Sequence, residues 1–155
     1  MQMEWLKAGI GPLKDLISFL QKTSNTSDVH KRQVIRELKN NLNVFKNGFL
    51  NNSSYDVMID LLSNEAIKQA ILANFAFKKL KHGTIEATHI YDERNKRYAG
   101  WTADKLVEKI DEKIEELKNI KKLNEGSVEK VKNNIVLMIS NLYFRMKLLV
   151  EFIKG

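Results

Sequence analysis

Cysteine is absent from this sequence, which removes disulfide scaffolds, thiolate zinc sites, iron–sulfur ligation and cysteine nucleophiles together. A reducing cytoplasm is the expected setting. Proline occurs once and glycine seven times in 155 residues, too little turn-forming material for a many-stranded β fold. Three histidines are the whole supply for any metal or acid–base site. Residues 135–153 come nearest to a membrane span, but Arg145, Lys147 and Glu151 interrupt them, and charges at a bilayer centre cost about 2.5 to 3.5 kcal/mol each. No transmembrane segment is expected. The first residues also lack the basic lead and continuous apolar block of a secretory signal.

What the chain does hold is enough apolar material for a core. At 18.0 kDa with 43% hydrophobic and 29% charged residues, it is expected to form one domain spanning residues 1–155. Its net charge of +7 is unevenly spread. Residues 1–50 carry eight basic and four acidic groups, residues 51–100 seven and six, and residues 101–155 eleven and nine. Lysine outnumbers arginine 21 to 5 and asparagine occurs 15 times, a bias that A/T-rich codons also produce. Charge alone therefore does not identify a partner.

Helical periodicity runs through most of the chain, and strand alternation is not found. The expected fold is all-α, a bundle of four to six helices. Leu6, Ile10, Leu13, Ile17 and Leu20 recur at steps of three and four, with Pro12 expected to kink or open the first helix. Ser27 or Asp28 is placed to cap a second helix bearing Ile35, Leu38, Leu42 and Phe45. Ser54 caps a short segment through Leu62, and Ser63 a helix over residues 64–81 that buries Ile67, Ile71, Phe75 and Leu80. Residues 84–101 are not assigned beyond a helix starting at Thr84. The last third is expected to form a long antiparallel hairpin. Its helices cover residues 102–123 and 127–153, joined near Gly126 with Ser127 as the second cap, and bury Ile110, Ile114, Leu117, Ile135, Met138 and Leu142.

Several constellations carry possible chemistry. His82, Glu86, His89 and Glu93 have ligand-like spacing on a continuous helix, but a bundle metal site takes two Glu-x-x-His motifs and this chain has one. Neither metal nor cofactor is expected. Enzyme frames such as Gly-x-Ser-x-Gly or a phosphate loop are missing. On the second helix Arg32, Arg36, Lys39 and Lys46 share one edge, as a phosphate backbone would require, or as a solvated flank whose stems cover the core margin. Arg94, Lys96 and Arg97 lie among Tyr91, Tyr98 and Trp101, a mixture able to stack bases. Asn74, Asn134, Asn141 and Arg145 are polar positions set into apolar helices, expected in a polar core or at an interface. Residues 5–20 mix apolar side chains with lysines as interfacial helices do, yet packing into the bundle is the expected outcome. The function expected from this pattern is a non-catalytic interaction or regulatory module whose partner is a protein or a second copy of the chain. Nucleic-acid or other polyanion binding is the alternative, and an enzyme without a recognisable motif comes third.

Overall fold

Side-chain caps mark where the helices begin. A computed structural model describes residues 3–155, and among them are six α-helices and four 3-10 segments. A 3-10 stretch, Glu4–Gly9, runs into α1 (Ile10–Thr23). Pro12 sits in the first turn of α1, where its missing N–H costs little. Asp28 opens α2 (Val29–Leu50) by accepting the Lys31 amide at 3.1 Å. Ser54 does the same for α3 (Tyr55–Leu61) through Val57, and Thr102 for α5 (Ala103–Leu123) through Lys105. Asn134 caps α6 (Ile135–Lys154) by accepting from Leu137 at 3.1 Å.

The helix stops are equally local. After α2, α4 (Glu65–Leu72) and α5 the chain turns through residues with positive φ: Asn52 at 51°, Asn74 at 55° and Glu125 at 57°. In each case the next residue's N–H reaches back five residues, Ser53 to Gly48, Phe75 to Ala70 and Gly126 to Lys121, all at 2.9 Å. This is the Schellman closure, built here on side-chain-bearing residues in a chain with little glycine.

Three expectations are corrected. The helix expected over 64–81 ends at Leu72, because Asn74 takes the left-handed conformation; Ile71 is exposed, while Phe77 and Leu80 reach the core from a 3-10 turn, Phe77–Lys79, and the residue that ends it. Residues 127–134 are not helical, since Ser127 Oγ donates to Asp56 Oδ2 at 2.9 Å and the Val128 amide to Asp56 Oδ1 at 2.7 Å, holding the segment against α3. Residues 84–101 form 3-10 turns, Ala87–His89 and Glu93–Tyr98, closed by an antiparallel bridge between Thr84 and Thr102.

Packing centres on α6, which meets α5, α1, α2 and the two 3-10 turns that precede α5. Tyr143, Met146, Leu149, Val150 and Phe152 are all buried along it. Ile110, Ile114, Leu117, Ile135 and Leu142 are buried and Met138 half-buried. The apolar side of residues 5–20 faces inward: Leu6, Leu13, Leu16 and Leu20 are in the core, and Trp5 packs on Phe45 and Tyr143. Among the described residues no helix is long and apolar enough to cross a membrane.

Candidate functional site

A long groove follows the outer side of α2. Two cavities, of about 620 and 290 Å3, share Asn40, Val44 and Leu61 and so form one groove between α2 and the α3–α4 pair. From Gln33 to Asn51 it is roughly 27 Å long at 1.5 Å per helical residue. The floor is apolar: Val44, with Val57 and Leu61 of α3 left 49% and 61% exposed. Gly48 lets α3 close in, since a Cβ there would lie 2.8 Å from the Met58 sulfur.

The edge of the groove is amide. Gln33, Asn40 and Asn47 stand at seven-residue steps on α2, Asn43 lies between them, and Gln69 faces them from α4. Among the described residues none of these five side chains hydrogen-bonds to another protein group. Asn41 is different, because its buried amide holds the α3–α4 corner by exchanging bonds with Ser63, accepting at 2.9 Å and donating at 2.8 Å.

Below that corner lies a buried carboxylate. Glu37 accepts from the Ala66 and Ile67 amides at 2.7 and 3.1 Å and from Ser63 Oγ at 2.9 Å, which caps α4 from another helix. Burial outweighs these bonds and pushes its carboxyl above the ordinary range. With Glu37 turned inward, α2 shows cations outward. Arg32 donates to the Thr26 carbonyl at 3.1 Å and Lys39 to Gln21 Oε1 at 2.6 Å. Arg36 and Lys46 bond to no described residue, and none of the four is within an ion-pair distance of a described carboxylate. Arg36 lines both the amide groove and a neighbouring cavity of about 480 Å3 beside Lys22 and Ser24.

The second basic group is engaged differently. Arg94 lies 4.2 Å from the centre of the Phe144 ring and donates to Ser140 Oγ and Asn141 Oδ1, both at 3.1 Å, pinning its turn to α6. Lys96 pairs with Glu93 and Arg97 lies over Tyr98. Tyr98 is buried edge-to-face against Trp101, so of the nearby aromatics Tyr91 is the one left exposed. No flat stacking platform is formed by this group.

The four polar helix positions separate. Asn74 and Asn134 are exposed, one ending α4 and the other capping α6, and neither enters the core. Asn141 is half-buried, and Arg145 is buried with its Nε donating to the Tyr98 hydroxyl at 2.6 Å. Among the described residues no acidic partner lies against it. The His82–Glu93 spacing does not become a helix face either, since Gly83 at φ +85° precedes a turn in which His89 Nδ1 accepts the Glu86 amide at 2.9 Å. No three His, Asp or Glu side chains converge on a metal position among the described residues.

Sequence reasoning singled out the cations of α2 but not the amides beside them. A signal was present, because Gln33, Asn40 and Asn47 repeat every seven residues on a helix whose apolar face was already assigned. Comparisons with family models, curated proteins and solved structures return no match to this chain.

Proposed function

We propose that the chain is a non-catalytic interaction module that docks an extended, acidic–aliphatic segment of a partner protein in the groove along α2. The observation that carries this reading is the row of unbonded side-chain amides above an exposed aliphatic floor. A side-chain amide offers one acceptor and two donors, the complement of a peptide group, whereas a phosphate backbone offers acceptors alone. At about 3.3 Å per extended residue the groove accommodates roughly eight residues. Arg36, which lines the groove and pairs with no carboxylate among the described residues, favours an acidic side chain in that segment.

Selection of a phage-displayed random dodecapeptide library on the wild-type chain, followed by fluorescence anisotropy, tests this. Enriched peptides are expected to combine aspartate or glutamate with aliphatic residues. They are expected to bind Leu61→Asp and the double variant Asn40→Ala/Asn47→Ala about tenfold more weakly, a loss of roughly 1.4 kcal/mol. No enrichment, or binding to either variant as tight as to the wild type, would overturn the reading. Tight binding of labelled oligonucleotides that is lost in Arg36→Glu, steeply salt-dependent and indifferent to Leu61→Asp would replace it with polyanion binding.

A further inference from the structure

The most unusual single group in the molecule is the guanidinium of Arg145. Its residue is 5% exposed, yet its one hydrogen bond runs from Nε to Tyr98. The two Nη atoms bond to no described residue, and they are not among the buried, sealed and unpaired polar atoms, which are His30 Nδ1 and Tyr143 Oη. They therefore keep some contact with solvent, and Arg145 lines a cavity of about 110 Å3 between α5 and α6. The Nη groups thus rely on acceptors other than protein groups, which is what a small ligand of the cavity would supply.

The remaining lining says what would fit. Asn141 also lines this cavity, and its Oδ1 is already taken by Arg94, so its amide nitrogen is the atom left to donate. Leu117, Leu137 and Met138 supply apolar wall, with Leu137 half-exposed where the cavity meets solvent. Glu116 stands at the same cavity but is held by Lys113 at 2.9 Å. Donor side chains of Arg145, Asn141 and Lys113 lining one small space favour an anion, and the fork of a guanidinium matches a carboxylate with two parallel bonds. A dry cavity of about 150 Å3 takes benzene, so about 110 Å3 holds roughly four non-hydrogen atoms. That is a carboxylate and the first carbons of an aliphatic chain. Phosphate would fill the space but leave the apolar wall without a partner.

We propose that the cavity between α5 and α6 is a binding site for a small aliphatic monocarboxylate, held by the Arg145 guanidinium and the Asn141 amide against Leu117 and Met138. The carboxylate can belong to a free short-chain acid or to the C-terminus of a peptide. The site is separate from the α2 groove and does not depend on its function.

Titration of the isotope-labelled chain with propionate, followed by NMR, tests the proposal. Saturable shifts of the Arg145 Nε–H, the Asn141 side-chain amide and the Met138 methyl are expected, and neutral propionamide should not produce them. Glu116→Gln removes a competing carboxylate and frees Lys113, so propionate should bind about threefold more tightly. Arg145→Met should abolish the shifts while keeping the helical circular dichroism; should it fail to fold, propionamide and Glu116→Gln decide alone. N-acetyl-Ala-Ala, titrated in parallel, separates the two sources: tighter binding than propionate assigns the site to a peptide terminus, weaker binding to a free acid. Absence of saturation, an equal response to propionamide, stronger binding of inorganic phosphate, or no effect of Glu116→Gln would overturn the assignment.

Discussion

Glu125 carries a full side chain at φ +57°, directly before Gly126 at φ +86°. The left-handed region costs an L-residue about 1–2 kcal/mol, and glycine avoids that cost while losing more backbone entropy on folding. Glu125→Gly is therefore expected to stabilise the chain by about 0.5–1 kcal/mol, raising Tm by roughly 1–4 °C for a domain of this size. Differential scanning calorimetry checks it, and an unchanged or lowered Tm would mean that the Glu125 side chain makes a compensating contact. Asn74 occupies the same position after α4, and it shows why the residue scale was only partly legible. Ile67, Ile71 and Phe75 continue at helical spacing across it, but periodicity records which side chains could face the core, not that the intervening backbone is helical. The informative property was asparagine's tolerance of the left-handed region, which the apolar pattern hid.

At the scale of elements, α3 has seven residues and no prospect of standing alone. It is held by side chains distant in sequence. Lys118 Nζ donates to the Ile59 carbonyl at 2.8 Å, at the end of the helix where a cation is favoured. Lys121 Nζ donates to the Asp56 carbonyl at 2.8 Å and pairs with the Asp60 carboxylate at 2.7 Å. Lys121 is buried, so Lys121→Met is expected to cost about 1–3 kcal/mol, chiefly through the lost bond to the Asp56 carbonyl, since the exposed Asp60 carboxylate is rehydrated. Urea unfolding measures that loss, and hydrogen exchange should show the amides of α3 opening first. Lys122→Met, an exposed neighbour, should fall within about 0.5 kcal/mol of wild type; equal effects of the two substitutions would mean that the bonds of Lys121 do not hold α3. The same geography explains which elements could be read from sequence. The starts of α2, α3 and α5 are each set by a cap three residues away, information that lies within a short window. Ser127 has an identical local signature, but its hydroxyl goes to Asp56, 71 residues earlier. No local pattern records that choice, so the sequence points to a helix start at 127 while α6 begins at Ile135.

Across the whole molecule, the all-helical architecture and most of its core followed from periodicity, because the stripes of α2, α5 and α6 must be buried against one another. The α2 groove was less legible because it depends on how closely α3 and α4 approach, which Gly48 and the buried Glu37 control together. Glu37 also links that corner to pH. Its carboxyl is raised by burial, and so is that of Glu151, whereas the half-exposed Asp28 and Glu115 are lowered by the Lys31 amide and by Lys68, respectively. A raised carboxyl contributes stability that is fully present below its ordinary value of 4.5 and is lost as pH rises through the elevated folded value. The lowered pair has the opposite sign, with stability present above the ordinary value and lost as pH falls through the folded one, and solvent screening at exposed sites keeps it small. The two effects therefore occupy different windows. Comparing the wild type with Glu37→Gln by urea unfolding isolates the first. Protonated Glu37 and glutamine differ little in shape, and only the former ionises as the pH rises. Between pH 4 and pH 7 the stability of wild type relative to Glu37→Gln is expected to be greatest at the acidic end and to fall as the pH rises through the elevated folded value, where a desolvated charge develops at the corner of α3 and α4. A difference that stays constant across that range would mean that the three hydrogen bonds to Glu37 fully offset its burial. A difference that grows with pH would make the ionised carboxylate a net stabiliser of α4 and reverse the sign argued here.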